Sequence, residues 1–82
     1  MKDGKRQIVF DEDIYNTIRQ NIKRYRKEKG ITSAVLAEMT GLSHDFIRQL
    51  QSNSKHTYNF SVETFYKISV ALGVSMDKLI EK

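Results

Sequence analysis

The sequence has no cysteine, no proline and only four glycines in 82 residues. Without cysteine there is neither a disulfide framework nor a thiolate metal site, which suits a reducing cytoplasm. Without proline, and with little glycine, helices are favoured over a turn-rich β fold. No apolar run approaches the roughly 20 residues of a membrane span. The first residues, MKDGKRQIVFDED, lack the apolar stretch of a secretory signal. A soluble, cytoplasmic protein with no membrane partner is therefore expected. Repeats, low-complexity tracts, Gly-rich phosphate loops and zinc-ligand spacings are also missing. The two histidines, His44 and His56, stand well apart, and the carboxylates are scattered. General acid–base or metal chemistry needs convergent groups in a cleft, so neither an enzyme, a cofactor nor a metal is expected.

What is present is a foldable composition, 39% hydrophobic and 10% aromatic, in a chain long enough for one domain with one core. The formal net charge is +4, and its location is informative. Residues 1 to 30 hold nine Lys and Arg against five acids, whereas residues 31 to 82 hold five of each sign. The excess sits mostly in RQNIKRYRKEK. Such a stretch is compatible with a polyanionic partner, and equally with a solvated helix face.

Residues 1 to 10 read as a basic tail ending in the β-prone run Ile8-Val9-Phe10, and residues 11 to 82 as the domain. Asp11 is a candidate N-cap, with Glu12 and Asp13 at the positive end of the helix dipole. Ile14, Ile18, Ile22 and Tyr25 then recur at helical spacing, and Gly30 supplies a left-handed stop, so the first helix spans roughly 12 to 29. Thr32 caps a second helix over about 33 to 39, with Leu36, Ala37 and Met39 available for burial. Ser43 caps a third over about 44 to 51, with Ile47 and Leu50 inward. The polar, aperiodic SNSKHTYNF reads as a loop. Ser61 caps a fourth helix carrying Val62, Phe65, Ile68 and Leu72, stopped by Gly73. Ser75 caps a short fifth with Met76, Leu79 and Ile80. Tyr25, Phe60, Phe65 and Tyr66 read as core or core-edge residues. The expected class is all-α, five helices around one core.

The stretch MTGLSHDFIRQL shows why two stubby helices replace one long one. Gly41 accepts positive φ and keeps the turn tight, and Ala37, four residues earlier, lets the next helix cross closely. Leu36, Leu42, Ile47 and Leu50 form the shared apolar seam. The corner is a helix-turn-helix at about 33 to 51, whose second helix can enter a DNA major groove.

From about Ile18 to Leu79, roughly three quarters of the chain, the sequence resembles the phage-repressor-like (Cro/CI, or XRE-type) helix-turn-helix family. LAEMTGLSHDFIRQL lies over its central motif and VETFYKISVALGVSMDKLI over its last two helices. The resemblance implies a five-helix lambda-repressor-like DNA-binding domain, usually dimeric, acting in bacterial or phage transcription regulation. Gln51 stands where the family usually has Glu, and Arg26 where its Arg partner sits, so an Arg–Gln hydrogen bond is expected. Asn53 replaces the usual Gly, Ser33 replaces a frequent phosphate-contacting Gln, and the loop after the third helix is longer than usual.

Helical geometry selects the reading face. At about 100° per residue, Ile47 and Leu50 define the buried direction. Asp45, Arg48, Gln49 and Ser52 point outward, and His44 and Phe46 lie on the flanks. Relatives carry base contacts at the positions matching His44, Asp45, Arg48 and Gln49. Arg48 suits guanine O6 and N7, or else pairs with Asp45 on a solvated face. Gln49 suits adenine N6 and N7, or else is a solvated side chain. Asp45 either accepts from cytosine N4, orients Arg48 or repels phosphate. His44 reaches a phosphate or a base, and Phe46 either packs partly buried or contacts a thymine methyl. Candidate phosphate contacts are Ser33 and Ser43 at helix N-termini, with Asn53, Ser54, Lys55, His56 and Thr57 in the loop where relatives grip the backbone. Lys2, Lys5 and Arg6 form a DNA-binding arm or a disordered tail.

The expected function is a sequence-specific double-stranded DNA binder, a repressor acting as a homodimer. Its dimer surface is either the last helix, with Met76 and Ile80, or Ile8-Val9-Phe10 pairing as a strand. The alternative is a helical protein-interaction module, such as an antitoxin acting on a partner protein.

Overall fold

The computed structural model describes residues 7–9, 13–52 and 61–82. Five helices are found among these residues: α1 (Asp13–Lys29), α2 (Ser33–Thr40), α3 (His44–Gln51), α4 (Val62–Leu72) and α5 (Met76–Ile80). The Asp11 cap, the tail residues Lys2, Lys5, Arg6 and Phe10, and Asn53, Ser54, Lys55, His56, Thr57 and Phe60 lie outside the described residues. Ile8 and Val9 have no regular structure and are 98% and 88% exposed. No helix among the described residues is long and apolar enough to cross a membrane.

Capping sets most of the boundaries. The Thr32 and Ser43 hydroxyls accept from the backbone N–H of Val35 and Phe46, each at 3.1 Å, and Ser61 accepts from Thr64 N at 3.1 Å. Each satisfies a donor that a helix start leaves without an intrahelical partner. Ser75 occupies the same position before α5, but its hydroxyl makes no capping bond.

One core joins all five helices. Ile22 of α1, Leu36 of α2, Ile47 and Leu50 of α3, Ile68 of α4 and Leu79 of α5 are at most 1% exposed. Each such side chain contributes about 1.5–3 kcal/mol relative to remaining in water. Ile14, Tyr25, Leu42, Phe46 and Phe65 pack around them.

Three expected inward residues lie outside. Met39 is 50% exposed, because Thr40 takes the inward position at the end of α2. The Thr40 hydroxyl donates back to the Leu36 carbonyl at 2.9 Å, which removes the penalty of burying it. Val62 is 77% exposed, since it opens α4 and lies on the side away from Ile68 and Leu72. Tyr66 is 58% exposed, because its place in the helical period turns it away from the face that buries Ile68, Ala71 and Leu72.

The polar contact that closes the fold is buried Asn21. Its side-chain amide donates to the carbonyls of Leu79 and Glu81, both at 2.8 Å, with that of Lys78 at 3.4 Å. A five-residue helix cannot satisfy its own last carbonyls, so α1 supplies the donors. Replacing Asn21 with Ala is expected to lower unfolding free energy by about 2–3 kcal/mol, because carbonyls are left without donors. Urea denaturation measures this. A change below about 0.5 kcal/mol would mean that Leu79 alone holds α5.

Candidate nucleic-acid interface

The corner between α2 and α3 is built as its residue types require. Gly41 ends α2 at φ 73° and ψ 13°, and its N–H and that of Leu42 return to the carbonyls of Glu38 and Ala37 at 3.4 and 3.2 Å. This is a glycine-terminated helix end, in which the left-handed residue turns the last amides back onto the helix. Ala37 is 5% exposed, and Leu36, Ile47 and Leu50 are fully buried, with Leu42 half-buried at the seam. A short α2 therefore crosses a short α3 at close range.

Burying Ile47 and Leu50 commits the opposite face of α3 to solvent. His44, Asp45, Arg48, Gln49 and Ser52 are all exposed. Phe46 is half-buried against the core and so packs instead of projecting. Arg48 lies 3.6 Å from Asp45, with the two side chains 65% and 77% exposed. Such a pair is held weakly in water, so either side chain exchanges it readily for another partner.

The base of α3 is fixed by a polar network between three helices. Arg26 donates through Nε to Gln51 Oε1 at 2.8 Å and through Nη1 to the Ile31 carbonyl at 2.7 Å. Gln51 Nε2 donates in turn to Ser33 Oγ and to the Ile47 carbonyl, both at 3.0 Å. The expected Arg–Gln bond is present, and it extends to Ser33 at the start of α2. That extension was not readable locally, because Gln51 and Ser33 meet only once α2 and α3 have crossed.

An open concavity between α1 and α3 brings Ser33, Asp45, Arg48 and Gln49 together, joined by Lys23 and Arg26 of α1. His44 and Ser43 lie outside it, at the first turn of α3, where the Ser43 oxygen accepts from Phe46 N. The other phosphate candidates, Asn53, Ser54, Lys55, His56 and Thr57, lie beyond the described residues. Lys23 was not singled out in advance. Its three-residue spacing from Arg26 was the available signal, because that spacing puts both on one face of α1.

A helix-turn-helix family model matches residues 22–79 of the chain. The HTH-type transcriptional regulator SinR of Bacillus subtilis is 35% identical over 65 residues, covering 79% of this chain and 57% of SinR. The immunity repressor protein of Bacillus phage phi105 is 31% identical over 64 residues, 78% of this chain and 42% of that protein. The chain thus spans about half the length of these relatives. Among solved structures, a hypothetical transcription factor, NHTF, from Neisseria superposes with a TM-score of 0.75 at 21% identity, over 93% of this chain and 84% of that one. The restriction-modification controller protein C.AhdI from Aeromonas hydrophila gives 0.70 at 22% identity, over 84% and 98%. The two solved structures share the fold.

A methyl group at Gly41 would meet no atom within 4 Å, so substitution there tests backbone conformation alone. Gly41→Ala is expected to cost about 1–2 kcal/mol, and Gly41→Asn distinctly less, because Asn tolerates positive φ. Paired denaturation curves read the order, and equal losses for Ala and Asn would point to a steric cause instead.

Proposed function

The chain belongs to the helix-turn-helix family, and from that membership we propose that it is a DNA-binding transcriptional regulator, a repressor that inserts α3 into the major groove as a homodimer. The observation that carries this reading is the division of α3: Ile47 and Leu50 are fully buried, while Asp45, Arg48 and Gln49 project beside the N-terminus of α2. A helix held by its inner face and its C-terminal end, with its outer face exposed, has the form that groove insertion needs.

In this reading Arg48 leaves Asp45 and bonds guanine O6 and N7, and Gln49 bonds adenine N6 and N7. Asp45 accepts from cytosine N4 or orients Arg48. His44, in the first turn, reaches a base edge or a neighbouring phosphate. Ser33 and Ser43 donate hydroxyl and backbone N–H groups to phosphates, and the loop residues Asn53, Ser54, Lys55, His56 and Thr57 donate their amide, hydroxyl, ammonium or ring N–H groups. These contacts fix register, and the base contacts carry sequence. A single domain reads few base pairs, so two copies on a two-fold site are needed for a useful specificity ratio. Half-buried Met76 and exposed Ile80 on α5 offer one dimer surface, and Ile8 and Val9 in the tail another. The chain is read as non-enzymatic.

A second reading, a module acting on a protein partner, has one observation in its favour. Val62, Tyr66 and Val70 recur every four residues on α4 and are 77%, 58% and 61% exposed, an apolar stripe with no described cover.

Selection from random duplex DNA at fixed, near-physiological salt tests the proposal. The wild type is expected to enrich a palindromic motif, and the Arg48→Ala, Gln49→Ala double variant to lose it. Enrichment of nothing by either protein would reject sequence readout and favour the second reading. A chain truncated by residues 1 to 10 is expected to show a weaker dimer in sedimentation if the tail pairs, and an unchanged one if α5 carries the interface.

A further inference from the structure

Asp45 and Arg48 stand three residues apart on α3, with side chains 77% and 65% exposed and the arginine Nη1 3.6 Å from the aspartate Oδ1. Charge-assisted hydrogen bonds are shorter, about 2.7–2.9 Å, so the two groups are juxtaposed without closing on each other. Among the described residues neither is in ion-pair contact with any other residue. Of the side chains lining the concavity, Asp45 carries the one carboxylate, against the cations Lys23, Arg26 and Arg48. A carboxylate on the face that meets a polyanion weakens binding to every sequence. That penalty is offset only where the ligand offers a hydrogen-bond donor, and in the major groove the donors are exocyclic amino groups of the bases. A carboxylate accepts and a guanidinium donates, so the pair presents an acceptor beside a donor.

We propose that Asp45 and Arg48 read one G·C base pair as a unit, the arginine on guanine and the aspartate on the cytosine opposite it. The inference rests on the DNA-binding reading and names a base pair that the exposed face of α3 selects. Across the major groove a G·C pair shows guanine N7 and O6, both acceptors, and then the cytosine N4 amino group, a donor. The guanidinium fork donates to N7 and O6. One hydrogen of the N4 amino group bonds O6 within the base pair, and the other faces the groove, where Asp45 Oδ1 accepts it. O6 and N4 lie about 2.9 Å apart, so their protein partners must also be neighbours, as Nη1 and Oδ1 are. Each charged group thus exchanges its loose contact with the other for a hydrogen bond to the same base pair, and neither is left unpaired in the groove. An A·T pair shows N7, N6 and O4 in the order acceptor, donor, acceptor, so the second arm of the fork would meet a donor. Asp45 is then a specificity-determining residue, which lowers affinity for random sequence and restores it at one pair.

The test uses the full chain as wild type, Asp45→Ala and Arg48→Ala. Both side chains are mainly in solvent, so each variant should keep a near wild-type melting temperature. In selection from random duplex DNA at fixed salt, the wild-type motif is expected to contain a G·C column that both variants relax while the other columns persist. In the selected duplex the cytosine of that column is then replaced by pyrimidinone, which lacks the N4 amino group. The wild type is expected to bind this duplex about tenfold more weakly than the unmodified one, and Asp45→Ala to bind the two equally. Relaxation of different columns by the two variants, or of a column that is not G·C, overturns the joint reading and leaves the regulator reading in place. An equal loss on the modified duplex in Asp45→Ala does the same, since it would place the effect in the DNA. A wild type that enriches no motif rejects sequence readout itself, and this inference with it.

Discussion

At Gly41 the backbone takes φ 73° and ψ 13°, and everything exposed on α3 follows from that. A β-carbon at this point would be strained by the left-handed conformation itself, since no neighbouring atom approaches within 4 Å. The turn it permits is short enough for α3 to cross α2 at Ala37, so Ile47 and Leu50 reach the core beside Leu36. Once those two side chains are committed inward, the 3.6-residue period sends Asp45, Arg48 and Gln49 outward without further instruction. A straight helix through this segment would have kept the same residues but buried no seam between them.

The corner alone does not fix where α3 points relative to α1. That is done by Arg26, Gln51 and Ser33, whose hydrogen bonds of 2.8 and 3.0 Å link the end of α1, the end of α3 and the start of α2. The use of an amide at position 51 has an electrostatic consequence. A charged pair would hold the helices and cancel the charge, whereas Gln51 holds them and leaves Arg26 cationic beside Lys23 and Arg48. Rigidity of the scaffold and positive potential at its face are thus obtained from the same three side chains.

The far end of the domain is closed by a different device. α5 is five residues long, too short to be stable by its own hydrogen bonds, and stays in place through Leu79 in the core and the Asn21 amide on its terminal carbonyls. α4 is apolar on its inner face at Ile68, Ala71 and Leu72 and again on its outer face at Val62, Tyr66 and Val70. It therefore does not have the single apolar stripe of an ordinary surface helix.

Helix positions, the glycine corner and the outward set on α3 were legible in the residues. Caps such as Thr32, Ser43 and Ser61, and the left-handed Gly41, act on neighbours within about four positions, a range that periodicity covers. The Arg26–Gln51 bond was legible only through resemblance to a family, since nothing local joins residues 25 apart. Tertiary structure alone decided that Thr40 turns inward and Met39 outward, that Val62 and Tyr66 are left in water, that Asn21 holds the end of α5, and that Lys23 stands beside Arg48. For Thr40 and Asn21 the deciding partner is a hydrogen bond that offsets burial, for Lys23 it is a group on another helix, and Val62 and Tyr66 lie on the face of α4 that the core does not reach. Local pattern determines which faces a helix has, and only the packed chain determines what each face meets.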